Sequence, residues 1–403
     1  MSENTQVVVV GGGYAGVMAA NRLTHRDDVT VTLVNPRPTF VERIRLHQLA
    51  GRTGEAVVEY RDVLAEDVRL VIDSVDRIDA GGRRVTLATG GAVGYDYLIY
   101  AVGSGSVDQR VPGAAEFAYP IAGLEEALRL RPALDEASPT APVTVVGAGP
   151  TGIETAAELG EAGRRVTLVC GGILGPYLHT RGRRAVAARL AALGVTVIQG
   201  PGAKVTSVTG DTVRLADGRE LPSEVTVWTA GFGVPDLAVR SGLSTDSVGR
   251  LLTDETLTSV DDPRIVAAGD SAAPSGLPLR MSCQAAMPMG ARAADTVLAR
   301  IAGERPSDLN ALFAGQCISL GRGAGIFQFA HRDDTAVPFH IAGRTGAKIK
   351  EFVCASIVKQ LAGEARKPGS YRLHKVSGGA KRGQQIKSGR GKAAPAAATE
   401  PAA

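Results

Sequence analysis

Apolar and polar positions along this chain fall into two rhythms. Val7-Val-Val-Val10 is an unbroken apolar run. The cluster Gly11-Gly-Gly-Tyr-Ala-Gly16 follows, and small or apolar residues then recur through Ala19, Ala20 and Leu23. A second run, Val29-Thr-Val-Thr-Leu-Val34, ends at Asn35. Short continuous apolar runs predict strands buried on both faces, and the stretch between them has helical spacing. Residues 6–35 therefore predict strand, tight turn, helix and parallel strand. The chain repeats the design at 143–169, with Gly147-Ala-Gly149-Pro150-Thr151-Gly152 as its turn and Ile153 through Leu159 as its helix.

Each unit is followed by a similar series. After the first come Pro36 and Pro38, a helix-like stretch at 40–50, a predicted hairpin (68–78 with 83–87), and a strand at 95–103 ending in Ala101-Val102-Gly103. Pro112-Gly113 marks a boundary. A helix is predicted at 124–137. After the second unit come a helix at 185–193, a strand at 195–199, a hairpin at 204–221, and a strand at 225–231 ending in Ala230-Gly231. The repeat thus extends well beyond the glycine turn. A short strand at 265–270 ends on Asp270, and a helix is predicted at about 285–301. Residues 311–375 predict a smaller unit of strands and a helix (346–361), and the segment from 376 on predicts disorder.

Composition changes this picture little. The 403 residues allow two or three domains. Aromatic residues make up 4%, too few for a base-stacking surface, so no nucleic-acid partner is expected. The formal net charge of +4 resides in the tail, where Lys381, Arg382, Lys387, Arg390 and Lys392 face Glu400 alone. A balanced body and a basic tail leave room for contact with an anionic membrane surface. The four cysteines have neither disulfide nor metal spacing, so no metal is expected and a reducing, cytoplasmic setting is.

The glycine turns carry the first chemistry. In Gly11-x-Gly13-x-x-Gly16 the first glycine permits the turn, the second lets backbone approach a pyrophosphate, and the third lets helix and strand pack closely. The helix N-terminus then offers free N–H groups to phosphate. The acid that usually binds ribose at the end of the second strand is missing twice. Asn35 stands in the first unit, and Cys170-Gly171-Gly172 follows Val169 in the second. With His179, Arg181, Arg183 and Arg184 close behind, NADH and NADPH both remain open.

On these motifs the chain resembles the two-dinucleotide-domain flavoproteins, which include type II NADH dehydrogenases, ferredoxin reductases and apoptosis-inducing-factor-like proteins. Residues 97–103 stand at that family's first strand-end motif, Trp228-Thr-Ala-Gly-Phe232 at its second, and Arg264-Ile-Val-Ala-Ala-Gly-Asp270 at its flavin motif. The resemblance implies an α/β fold with two Rossmann-like domains, glutathione-reductase-like, plus a small C-terminal α+β domain. It implies an FAD domain at 1–113 and 255–305, an NAD(P) domain at 114–254, a C-terminal domain at 306–375 and a tail at 376–403. FAD is then expected at Gly11, Gly13, Tyr14, Ala15, Gly16, Asn35, Arg43, Ala101, Val102, Gly103, Asp270, Gln284 and Ala285. NAD(P)H is expected at Gly147, Gly149, Pro150, Thr151, Gly152, Glu154, Ala230, Gly231 and Phe232, with Glu154 contacting the nicotinamide amide.

Departures from the family bear on the reaction. No cysteine precedes Cys170, so the dithiol relay of the disulfide reductases is not expected, and hydride from NAD(P)H should pass through the flavin directly to an acceptor. Gln284 matches one glutamine of the quinone segment in type II NADH dehydrogenases, but Pro288 replaces the other. Cys317 to Arg322, with Gly325, Gln328, Gly343, Lys348 and Lys350, is similar to the apoptosis-inducing-factor-like coenzyme Q reductases. A quinone is thus the expected acceptor. A ferredoxin-type carrier is the alternative enzyme reading, and a redox sensor the non-enzymatic one. His47 is the candidate proton donor, against the plainer reading that it is packed. Oligomeric state is not legible.

Overall fold

The computed structural model describes residues 4–106, 110–310, 313–373, 382 and 386. The chain opens with β1 (Thr5–Val10), α1 (Tyr14–Leu23), β2 (Val29–Asn35), α2 (Leu46–Ala50), β3 (Arg69–Ile72) and β4 (Tyr97–Tyr100). It continues with β5 (Ala118–Pro120), α3 (Leu124–Glu136), β6 (Pro142–Val146), α4 (Pro150–Glu161), β7 (Arg165–Val169), α5 (Thr180–Ala192), β8 (Thr196–Ile198) and β9 (Val225–Trp228). Last come β10 (Ile265–Ala267), α6 (Cys283–Ile301), β11 (Gly315–Ser319), β12 (Gly325–Ala330), β13 (Ala336–Gly343) and α7 (Arg344–Arg366).

Two five-stranded parallel sheets carry the fold, ordered β10-β4-β1-β2-β3 and β5-β9-β6-β7-β8. Val7 to Val10 and Val143 to Val146 are buried on both faces, which is why neither run alternates. In each sheet the first strand of the repeat lies between its successor and a strand from much later in the chain. That reversal of direction opens a crevice at the carboxyl ends of the strands. β11, β12 and β13 form an antiparallel sheet, with α7 packed against it. Asn21 of α1 donates to the Leu361 carbonyl at 3.1 Å and so ties α7 to the first unit. Helices α1 and α6 meet at Gly290, where a Cβ would fall 2.2 Å from the Ala15 carbonyl oxygen.

Several predicted elements need correction. Residues 68–78 are not one hairpin arm. Asp73 donates its N–H to the Asn35 carbonyl at 3.0 Å, and its carboxylate accepts the Ser74 N–H at 2.7 Å. This local turn leaves β3 in the parallel sheet and sends Val75–Asp79 into a separate three-stranded antiparallel sheet. The stretch 40–50 is helical only at its end. Thr39–Val41 pairs with Val57–Glu59, Arg43–Arg45 is a 3-10 turn, and α2 follows. Helix α5 starts at Thr180 because His179 caps it, its Nδ1 accepting the Arg181 N–H at 3.2 Å. Helix α6 starts at Cys283 under the Ser282 hydroxyl. The expected disorder of the tail lies outside the described residues. Arg382, one of the two described there, pairs with Glu255 at 2.7 Å.

Candidate functional site

The two glycine turns have the same geometry. Gly11 and Gly147 lie at φ +101° and +117°, where a side chain would strain the backbone and strike the neighbouring strand end. A Cβ on Gly16 would come within 1.8 Å of the Gly11 carbonyl oxygen, and one on Gly152 within 1.9 Å of that of Gly147. Around Gly13 and Gly149 a Cβ would meet nothing within 4 Å. Each turn is therefore closed on its sheet side and open where a pyrophosphate would approach, above the N-termini of α1 and α4.

A cavity of about 1340 Å³ lies between the two sheets and the C-terminal unit. It exceeds the ~300–1,000 Å³ of ordinary small-molecule pockets, as an extended dinucleotide requires. Of the first site's expected residues, Gly11, Gly13, Tyr14, Ala15, Asn35, Arg43, Ala101, Val102, Gly103, Asp270 and Gln284 line it, whereas Gly16 and Ala285 do not. Of the second site's, Pro150, Thr151, Glu154 and Phe232 line it, and Gly147, Gly149, Gly152, Ala230 and Gly231 do not. Asn35 accepts the Gly12 N–H at 2.9 Å and donates to the Arg37 carbonyl at 2.9 Å, so its amide already braces the glycine turn. Tyr60 donates to the Gly12 carbonyl at 2.8 Å from the other side.

Polar groups converge on one wall. Ser104 donates to Asp270 at 2.6 Å and accepts from Arg43 at 3.0 Å. Arg43 also donates to the Ala122 carbonyl at 3.0 Å. Ser104 was not among the expected residues, though its place just after the strand-end motif was a usable signal. Gln284 sets its amide against the Gly315 carbonyl at 2.8 Å and the Ala314 N–H at 3.1 Å, in the amide orientation that satisfies both. It thereby joins α6 to the C-terminal sheet.

The floor of the cavity brings together Glu154, His47 and Lys350, which the sequence had singled out separately and not as a cluster. Lys350 of α7 sets its Nζ 2.9 Å from Glu154 Oε1 of α4, and Ser319 N–H reaches the same oxygen at 2.9 Å. His47 Nδ1 of α2 lies 3.6 Å from Glu154 Oε2, too long for a hydrogen bond. All three residues are at least 94% buried. Burial opposes the Glu154 charge, yet Lys350, then His47 and the two hydrogen bonds hold its carboxyl below the usual range. Burial likewise opposes the Lys350 ammonium, and the charge and hydrogen bond of Glu154 outweigh it, leaving the lysine firmly charged. Burial drives His47 down to about 4 against the pull of Glu154. The floor is thus a buried ion pair beside a neutral imidazole whose Nε2 has no partner among the described residues.

Cys283, Cys317 and Cys354 also line the cavity, a convergence that their separation in the chain concealed. All are free, and burial first of all holds each above its usual value, Cys283 at about 11 and Cys354 at about 12. They are neutral thiols and poor nucleophiles. Arg183 donates to the Leu174 carbonyl at 2.7 Å and the Leu178 carbonyl at 3.2 Å, while Arg181 and Arg184 are exposed. Among the described residues no helix is long and apolar enough to cross a membrane, and no group of side chains is arranged to hold a metal ion.

Two parallel dinucleotide folds opening on one cavity, closed by a small α+β unit, define an oxidoreductase of the two-dinucleotide-domain class. Residues 5–290 match the profile of the pyridine nucleotide-disulphide oxidoreductases, and the chain belongs to that family. It is 34% identical over 325 residues to an NADH dehydrogenase-like protein of Mycobacterium tuberculosis, covering 73% of this chain and 80% of that one. It is 32% identical over 349 residues to a type II NADH:quinone oxidoreductase of the same organism, covering 75% and 74%. The NDH2 structure from Plasmodium falciparum in complex with NADH superposes with a TM-score of 0.73 at 15% identity, over 92% of this chain and all of that one.

Proposed function

We propose that this protein is an FAD-dependent NAD(P)H dehydrogenase that delivers electrons to a quinone. The observation carrying the proposal is the buried Lys350–Glu154–His47 cluster on the floor of a cavity shared by both dinucleotide folds. The same cavity is lined by the apolar side chains of Met287, Pro288, Val353 and Ile357, which suit a quinone ring. The relatives named NADH dehydrogenase-like and NADH:quinone oxidoreductase support the same reading.

FAD, when bound, accepts a hydride from the nicotinamide and releases the electrons to the acceptor. The residues of this chain bind and position. The turn at Gly11, Gly13 and Gly16 would take the FAD pyrophosphate on the N-terminus of α1. Asp270, oriented by Ser104 and Arg43, would hold a ribityl hydroxyl. The turn at Gly147, Gly149 and Gly152 would take the NAD(P)H pyrophosphate, with Pro150, Thr151 and Phe232 lining the way to the flavin. Lys350, charged throughout the physiological range, would place positive charge and a donor N–H against a quinone oxygen as negative charge builds there. Glu154 fixes that ammonium, and the free Nε2 of His47 adds a second polar contact.

The test is anaerobic reduction of the FAD-loaded protein by NADH and by NADPH, then reoxidation by ubiquinone and menaquinone analogues and by a ferredoxin. Fast reoxidation by a quinone is expected. A protein that binds no FAD, or that is reoxidised only by the ferredoxin, would overturn the proposal.

A further inference from the structure

Glu158 lies one turn beyond Glu154 on α4, and the proposed function does not use it. It is 98% buried. Thr53, on the turn after α2, donates its hydroxyl to Glu158 Oε1, while Oε2 has no partner among the described residues. Three further buried polar atoms on α2 and α4 also lack partners among the described residues: His47 Nε2, Gln48 Nε2 and Thr155 Oγ1. Unsatisfied buried polar atoms concentrated on two packed helices are where internal water is held. A further turn along, Glu161 reaches solvent, with its side chain 29% exposed, and pairs with Arg189 at 2.8 Å. Its other oxygen accepts the Arg322 N–H. Carboxylates at 154, 158 and 161 therefore follow one face of α4 from the cavity floor to the surface.

We infer that Glu158 is the inner relay residue of a proton path running along α4 from solvent at Glu161 to the Glu154–His47–Lys350 cluster. The inference rests on the quinone-reductase reading. Reducing a quinone to a quinol takes two electrons and two protons. NAD(P)H gives up both electrons and one proton as hydride, and the second proton comes from water. The Lys350 ammonium passes that proton to the quinone oxygen, the Glu158 carboxyl returns one to the Lys350 amine through bridging water, and solvent at Glu161 reprotonates Glu158. The groups facing Glu158 suit it to this task. Burial first of all raises its carboxyl above the usual range, Glu161 and Glu154 add to this, and Thr53 and Arg322 counter it. His47, whose carbonyl accepts the Gly51 N–H, belongs to the α2 wall against which the Glu158 stem packs.

The test uses the full FAD-loaded chain carrying Glu158→Gln or Thr53→Val. Anaerobic stopped-flow follows reduction by NADH, then reoxidation by a short-chain quinone across pH. Glu158→Gln should leave reduction unchanged and slow reoxidation by at least about tenfold. It should also abolish a carboxylic-acid band in the oxidised-minus-reduced infrared spectrum. Thr53→Val keeps the carboxyl but removes a hydrogen bond that favours its charged form, so the alkaline limb of the reoxidation profile should move to higher pH. A purely structural role would lower rates without moving that limb. Wild-type reoxidation by Glu158→Gln at every pH overturns the relay, as does an unmoved limb in Thr53→Val should Glu158→Gln fail to fold. Failure of the unmodified protein to reduce quinone instead overturns the functional reading beneath it, and that outcome is visible without any variant.

Discussion

Lys350→Met tests the electrostatics of the cavity floor. The substitution keeps most of the aliphatic stem and deletes the ammonium 2.9 Å from Glu154. Glu154 then retains the Ser319 N–H and the neutral His47, while burial pushes its carboxyl upward without opposition from a cation. Removing one partner of a buried pair costs about 3–5 kcal/mol, because the other charge is left desolvated. The sign of the pH dependence follows from Glu154. In the variant its folded pKa rises above the ordinary 4.5, so the folded chain holds a proton that the unfolded chain releases. The deficit is therefore small in acid, widens as pH climbs past 4.5, and levels off above the raised folded value. Urea unfolding at fixed, saturating FAD should show a loss of about 3–5 kcal/mol near pH ~8 and much less near pH ~5. The double variant Lys350→Met/Glu154→Gln should recover more than half, since no charge is then left unpaired. A loss below about 1 kcal/mol, the level of an exposed pair, would refute the reasoning. So would a loss that does not change with pH.

Other substitutions separate the two nucleotide sites and the neighbouring groups. Gly16→Ala drives a methyl into the Gly11 carbonyl and should yield protein without bound flavin, whereas Gly152→Ala should stay yellow but lose NADH affinity; absorbance and nucleotide titration read both. His47 holds a folded pKa of about 4 against 6.5 unfolded, so the stability it contributes is present above 6.5 and lost as pH falls toward 4. The loss amounts to about 3 kcal/mol. Urea midpoints of His47→Asn should lack that acid slope, and an identical slope would contradict the assignment. Replacing Cys283, Cys317 and Cys354 together by serine should preserve NADH-driven flavin reduction and quinone turnover. Loss of turnover with the flavin still bound would instead point to thiol chemistry.

Much of the fold was legible because its signals are local. Val7–Val10, the glycine spacing and the second copy of both together specify strand, turn and helix without reference to the rest of the chain. Asp73 misled the hairpin assignment because its effect depends on the Asn35 carbonyl, which reaches it only once β2 and β3 are paired. The 40–50 stretch looked helical by spacing, but Thr39–Val41 gained a partner strand at Val57–Glu59. At the site, residues adjacent to the glycine motifs were readable from sequence. The ion pair was not, since its two partners come from α4 and α7, far apart in the chain. Glu154 was expected at the nicotinamide, and nothing near it in the chain signals Lys350. The convergence of three cysteines was hidden for the same reason.

The strand β10 has a consequence for how the molecule is made. It completes the first parallel sheet by pairing with β4, yet it is translated after the whole second dinucleotide fold. On the ribosome the later-encoded β6–β9 unit can close while the earlier one still lacks an edge strand. Lys350 emerges later still, so Glu154 stays hydrated until α7 docks. The second fold can thus close before the first is complete, and the docking of α7 seals the Glu154 charge away from water.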